Sequence, residues 1–235
     1  VGPLDFTDPV TGETGVDNKA ARAMGCFSTM RGGPDARPTH LTSRWAETRD
    51  NMPAWIIEVS GVDDRLNDND VQLLFSRAKE PAVRNANSES QADLTFRIDP
   101  NPRSTNVVNG RIENGMIVTD PLDFFMIGDP FHMAEYRFDD ARIRLLVNED
   151  GGARGIIGGY MPFTDLYMAW ALTGTLSESM LSVDLPGFYY ALRKLADANP
   201  DPATGMNMSI SASFTIEAVR AFIVREDAST ASRAE

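Results

Sequence analysis

A chain of 235 residues, 42% of them hydrophobic, can bury a sizeable core in one large domain or two small ones, and we expect one. Its 22 basic and 34 acidic residues give a net charge of −12, which repels phosphate backbones and anionic membrane surfaces. Nucleic-acid binding is therefore not expected. No apolar run approaches the roughly 18 residues that a spanning helix needs, so the chain is not expected to cross a membrane.

The first 50 residues are rich in Asp, Gly, Pro and Thr, and we expect them to form an extended N-terminal segment. It contains one short helical pattern, DNKAARAMGCF, in which the carboxylate of Asp17 is placed to cap the first turn. The chain starts at Val1 without an initiator methionine, as after removal of a signal sequence. We therefore expect an extracytoplasmic location, whether periplasmic, cell-surface or secreted. Cys26 is the only cysteine, and we expect a buried, inert thiol.

From residue 51 to residue 225 the pattern is mainly that of strands. Alternating apolar positions predict strands at residues 54–62, 71–78 and 92–99. Residues 106–119 predict a tight hairpin, because Asn114 and Gly115 readily adopt the positive φ that short turns need. Further strands are predicted at residues 123–128, 132–138, 141–162 and 206–224, the third of these with a turn at Asp150–Gly152 and close packing or a bulge at Gly158 and Gly159.

Two helical patterns interrupt the later strands. FTDLYMAWALTG has helical spacing, with Thr164 or Asp165 as its cap, and PGFYYALRKLADANPDP begins after Asp184 and ends at Asn199-Pro200. Residues 226–235 are small and polar, and we expect them to form a flexible tail. Together these elements predict a mainly β fold, an antiparallel β-sandwich or jelly roll with two or three helical insertions.

The loop GVDDRLNDND, residues 61–70, is a candidate calcium site. Calcium prefers six to eight hard oxygen ligands from a flexible loop, and this loop offers the carboxylates of Asp63, Asp64, Asp68 and Asp70. The pattern is not an EF-hand, since it lacks that motif's glycine and final glutamate. The alternative is a polar hairpin loop whose Asp and Asn side chains accept hydrogen bonds from their own backbone.

A second acidic stretch, DFTDPVTGETGVDNK, offers Asp5, Asp8 and Asp17 at short spacing among glycines. These carboxylates form a second candidate calcium site. The alternative is a solvated lead-in that ends in an ordinary capping aspartate.

Carboxylates and aromatic residues on the predicted strands suggest a different chemistry. Many glycan-active β-sandwiches use two acids on a concave sheet face, and Glu58, Glu113 and Glu135 are candidates for that role. The candidate ligand-binding aromatic residues are Trp45, Trp55 and Tyr136. Alternatively, these glutamates form cross-strand ion pairs with arginines on a solvent-facing surface.

Other catalytic or metal chemistry has little support in the sequence. The two histidines, His40 and His132, are 92 positions apart, and only His132 lies near further ligand types, Asp129, Met133 and Glu135, suited to copper or iron. There is no G-x-S-x-G motif and no phosphate-binding glycine pattern. Most of the eleven methionines lie within apolar patterns that are typical of core packing.

Three segments resemble a group of uncharacterised secreted or lipid-anchored bacterial proteins with a G-[IV]-D-N opener that leads to Gly-Cys. They are TGVDNKAARAMGC, SGVDDRLNDNDVQLLF and DGGARGIIGGYMPFTDLY. The resemblance covers about a third of the chain. It implies an extracytoplasmic, β-rich protein, and it supplies no activity and no catalytic residue.

The sequence thus favours an extracytoplasmic, non-enzymatic binding or accessory module with structural calcium and a glycan or protein partner. A glycan-active hydrolase or lyase that uses strand carboxylates is one alternative. The other is an accessory subunit of a larger extracytoplasmic assembly that contains redox proteins, which would use a flat apolar patch.

Overall fold

A computed structural model describes residues 6–7, 14–16, 18–27, 52–87, 89–129, 133–172 and 183–225. Its strands are β1 (Phe6–Thr7), β2 (Thr14–Val16), β3 (Pro53–Ser60), β4 (Asn67–Pro81), β5 (Leu94–Arg97), β6 (Thr105–Glu113), β7 (Met116–Thr119), β8 (Leu122–Asp129), β9 (Met133–Val147), β10 (Ala153–Pro162), β11 (Ala198–Pro200), β12 (Asn207–Ala218) and β13 (Ala221–Val224). The helices are α1 (Lys19–Met24), α2 (Phe163–Ala171) and α3 (Leu185–Leu195). Within these residues, every helix is too short or too polar to span a bilayer.

Nine strands form one antiparallel sheet in the order β11-β12-β10-β9-β7-β6-β4-β3, with β8 paired to β9. The sheet curves so that side chains of β3 and β4 contact side chains of β8 and β9. The predicted mainly β, antiparallel fold with helical insertions is therefore confirmed. The arrangement is consistent with a β-sandwich, whereas the strand order, dominated by sequential hairpins, does not confirm a jelly roll.

Turn chemistry fixes the hairpins at the predicted positions. Asn114 (φ 50°) and Gly115 (φ 83°) form the two-residue turn between β6 and β7, and both adopt the left-handed conformation that such a turn needs. Where β9 pairs with β10, Asp139 pairs with Tyr160 and Arg142 pairs with Gly158. Two residues of β9 therefore lie opposite the single residue Gly159, which is a β-bulge. A Cβ atom on Gly159 would lie 3.0 Å from the Cα atom of Ala141, so a larger residue there would force the backbone of β9 to shift.

The core lies inside the curved sheet and beneath the helices. Leu73, Phe75, Phe124, Phe138 and Ile143 are fully or almost fully buried strand residues. The helices contribute to the same cluster with Ala20, Ala23, Phe163, Leu166, Phe188 and Leu192. Helix α1 packs against β12 and α3, so residues 18–27 of the N-terminal segment belong to the packed domain.

The cap of α1 is Asn18, one residue later than the predicted Asp17. Its side-chain oxygen accepts a hydrogen bond from the backbone N–H of Ala21 at 3.0 Å, and its amide donates to the carbonyl of Ser213 on β12 at 2.8 Å. An aspartate has no N–H to donate to Ser213, which explains why the amide occupies this position. Cys26, expected to be buried, lies just beyond the end of this helix and is exposed.

Three further boundaries differ from the sequence prediction. Helix α2 has Pro162 at its N-cap and no side-chain cap, although Thr164 or Asp165 was expected there. Helix α3 begins after Asp184 as predicted but ends at Leu195, because residues 198–200 pair with β12. The predicted strand 206–224 is two strands, since β13 leaves the main sheet and pairs in parallel with β5.

We predict that Asn18→Ala lowers the free energy of unfolding by about 1–3 kcal/mol, because it leaves a buried carbonyl and a helix N–H without their partner. Asn18 is only 4% exposed. Urea unfolding provides the measurement. The control is Asn101→Ala, which removes the exposed cap of the short 3₁₀ helix Pro102–Ser104 and should cost less than about 1 kcal/mol. Equal losses in the free energy of unfolding for Asn18→Ala and Asn101→Ala would contradict the claim that burial makes the loss larger at Asn18.

Candidate functional site

A cavity of about 1290 Å³ lies within the curve of the sheet. Most of its wall is apolar, and strands β3, β4, β8, β9, β10 and β12 all contribute to it. Its larger side chains include Ile57, Phe75, Tyr136, Ile157, Phe214 and Ile216. The volume exceeds the roughly 300–1,000 Å³ that is common for pockets that hold small molecules.

Strand periodicity places these side chains on the inner face. Successive residues of a strand point to opposite faces, so Trp55, Ile57 and Val59 of β3 lie on one side of it. All three line the cavity, and so do Phe214 and Ile216 of β12. Ile56 of β3 and Glu217 of β12 also border the cavity, so strand alternation alone does not determine which residues form its wall.

Aromatic rings connect the facing halves of the sheet across the cavity. The centroid of Trp55 lies 5.2 Å from that of Tyr136 on β9 and 5.5 Å from that of Phe75 on β4, with edge-to-face geometry in both pairs. Tyr136 also contacts Phe214 on β12 at 6.4 Å. Trp55 is 43% exposed, so its indole borders both the cavity and the solvent.

Two of the three predicted ligand-binding aromatic residues are thus brought together. Trp55 and Tyr136 are 81 positions apart in the chain and both line the cavity. Trp45 lies outside the described residues. Sequence reasoning identified these residues for stacking on sugars, but the cavity beside them is lined mainly by aliphatic and aromatic side chains.

Arg77 is the buried charged residue of this wall, and sequence reasoning missed it. Its guanidinium group donates hydrogen bonds to the carbonyls of Pro53 at 3.0 Å, Gly128 at 3.4 Å and Ile127. These bonds hold the group in one orientation next to the inner face. The sequence does indicate this position through residue spacing. Arg77 follows Leu73 and Phe75 at intervals of two, so it lies on the face of β4 that is buried.

The acidic loop between β3 and β4 is organised around one carboxylate, that of Asp68. Its Oδ2 atom accepts hydrogen bonds from the backbone N–H groups of Asp63 at 2.7 Å and Asp64 at 3.2 Å, and its Oδ1 atom accepts one from Asp70 at 3.1 Å. These bonds, led by that from Asp70, hold the pKa of Asp68 below its usual value. The geometry matches the polar-turn interpretation.

The calcium hypothesis stays a prediction. No group of three or more Asp, Glu, His or Cys side chains among the described residues is arranged to hold a metal ion. Asp63, Asp64, Asp68 and Asp70 lie in the described loop, whereas Asp5, Asp8 and Asp17 lie outside the described residues, as do His40 and His132.

The three candidate catalytic glutamates each form an ion pair with an arginine. Glu135 contacts Arg103 at 2.5 Å, and Glu113 contacts Arg111 at 2.5 Å. Glu58 pairs with Arg225. These contacts favour the interpretation of the glutamates as members of surface ion pairs.

Comparison with known proteins gives no further guidance, since no protein-family model, curated protein or solved structure matches this chain. The interpretation of the cavity therefore depends on its own geometry and chemistry.

We predict that Asp68→Asn lowers the melting temperature by a few degrees near neutral pH, because the amide cannot accept all three N–H bonds. The folded-state pKa of Asp68 lies below its unfolded value, so its contribution is complete above the unfolded pKa and is lost as pH falls through the folded one. The difference in melting temperature between wild type and Asp68→Asn should therefore become smaller below about pH 4. Asp70→Asn is the control. A difference in melting temperature between wild type and Asp68→Asn that does not change with pH would contradict the prediction.

The same proteins test for calcium. A rise in melting temperature that saturates with added calcium after chelation, and that is absent in Asp68→Asn, would confirm a metal site in this loop. A melting temperature independent of calcium would leave the loop as a polar turn.

Proposed function

We propose that this protein is an extracytoplasmic, non-enzymatic binding module that holds an apolar or amphipathic small molecule inside its curved sheet. The observation that carries the proposal is the cavity of about 1290 Å³ with its apolar and aromatic wall. The location is supported by the resemblance to secreted and lipid-anchored proteins.

The wall favours an apolar ligand on energetic grounds. Each Å² of apolar surface removed from water contributes about 25 cal/mol, so a ligand enclosed by such walls is stabilised without specific hydrogen bonds. Arg77 adds one oriented polar group in the wall. Ligand sites commonly combine a mostly apolar wall with a few fixed polar groups.

The alternatives fit the geometry less well. Glycan sites need rings with open faces and hydrogen-bonding groups around them, whereas Trp55 and Tyr136 contact each other and further aromatic rings. A glycan-active enzyme also needs two carboxyls that cooperate, and the candidate glutamates pair with arginines instead. An accessory subunit would present a flat apolar patch, whereas the apolar surface that lines the cavity is concave.

We predict that the protein binds the dye anilinonaphthalene sulfonate with enhanced fluorescence, and that palmitate displaces the dye. Ala153→Trp introduces a large ring into the wall and should weaken dye binding by at least about tenfold, because the ring occupies ligand volume. Fluorescence titration provides the affinity.

The matched control is Val107→Trp, which introduces the same ring on the outer face of β6, where the side chain is 55% exposed. It should bind the dye as wild type does. Unchanged affinity in Ala153→Trp, or displacement by soluble oligosaccharides instead of palmitate, would contradict the proposal.

A further inference from the structure

One wall of the cavity is separate from the main sheet. Among the described strands, β3 pairs only with β4, and β12 pairs with β10 and β11, so the two ends of the sheet do not pair with each other. After β12 the chain continues as residues 219–225, which we name the strap. Its residues Val219, Arg220, Ala221 and Ile223 line the cavity.

The strap has few attachments. Its strand, β13, pairs over four residues with β5 in a two-stranded parallel sheet. Ile223 packs against the small cluster of Ile56, Ala78 and Phe96, whereas Ala221, Phe222 and Val224 are exposed. By comparison, β12 pairs with β10 over ten residues.

Two ion pairs fasten the strap at its ends. Arg220 contacts Asp93 in bidentate geometry at 2.6 and 3.1 Å, and the N–H of Asp93 donates to the carbonyl of Arg220 at 2.8 Å. At the other end Arg225 pairs with Glu58 on β3. Both pairs are largely exposed to solvent, and exposed ion pairs stabilise a structure only weakly.

We infer that the strap is the gate through which the ligand of the cavity enters and leaves. Segments with few buried contacts open at a much lower free-energy cost than the sheet to which they are attached. Release of the strap uncovers the apolar wall between β3 and β12, while the strand pairing of the nine-stranded sheet stays intact. This inference rests on the proposed function, because it concerns exchange of the ligand proposed there.

A disulfide across the strap tests the gate. Thr95 and Phe222 are paired, outward-facing residues of β5 and β13, so Thr95→Cys with Phe222→Cys, in a Cys26→Ser background, places two thiols at a separation that a disulfide tolerates. Stopped-flow mixing with anilinonaphthalene sulfonate then gives the association and dissociation rates. In the oxidised protein both rates should fall at least about tenfold while Kd stays within about twofold, and reduction should restore them.

The control disulfide joins Arg111→Cys on β6 to Val118→Cys on β7, an outward-facing register pair of the main sheet. It should leave both rates unchanged. A second variant loosens the strap without a new covalent bond: Asp93→Asn with Glu58→Gln should raise both rates severalfold at constant Kd. Its control is Glu113→Gln, which breaks an ion pair elsewhere on the sheet.

The outcomes separate the gate from the cavity. The wild type could bind the dye with the expected affinity while neither the disulfide nor the loss of the ion pairs changes the association and dissociation rates. That result would overturn the gate and leave the proposed function intact. Loss of dye binding in the wild type would overturn both.

Discussion

Strand β9 is the constraint on which the rest of the structure depends. Its 15 residues pair with β10 on one side, and on the other with β8 along its first part and β7 along its last part. The bulge opposite Gly159, with Asp140 at φ 51°, bends the strand where its pairing changes from β8 to β7. Both halves of the sheet therefore diverge from β9 and face each other.

The cavity follows from that curvature. Where helices α1, α2 and α3 pack against the sheet, side chains such as Phe188 and Leu192 fill the interior. Between β3 and β12 no helix packs over the gap in the described part of the chain, and the four-residue strand β13 covers it instead. An unfilled apolar space is costly in a protein interior, because its walls lose dispersion contacts. A ligand that restores those contacts offsets the cost, which connects the proposed function to the fold.

Several acidic residues have structural roles in the described part of the chain. Asp68 orders a loop through backbone N–H groups, Asp93 fastens the strap, and Asp184 caps α3 through the N–H of Gly187. Asp197 accepts hydrogen bonds from Ser211 and pairs with Lys19, which attaches α1 to β12. Several of the carboxylates behind the net charge of −12 therefore form hydrogen bonds and ion pairs within the protein, so the charge alone does not indicate what the protein binds.

The sequence by itself determined most strands of the main sheet and the hairpin turn between β6 and β7, because alternation and the positive φ at Asn114 and Gly115 are local properties. It also identified Trp55 and Tyr136 as ligand-binding candidates, and both line the cavity. Only the tertiary structure decided that these residues meet, that Arg77 lies in the wall, and that β13 leaves β12 to pair with β5. Each of these depends on contacts between segments distant in the chain, which a local pattern does not encode.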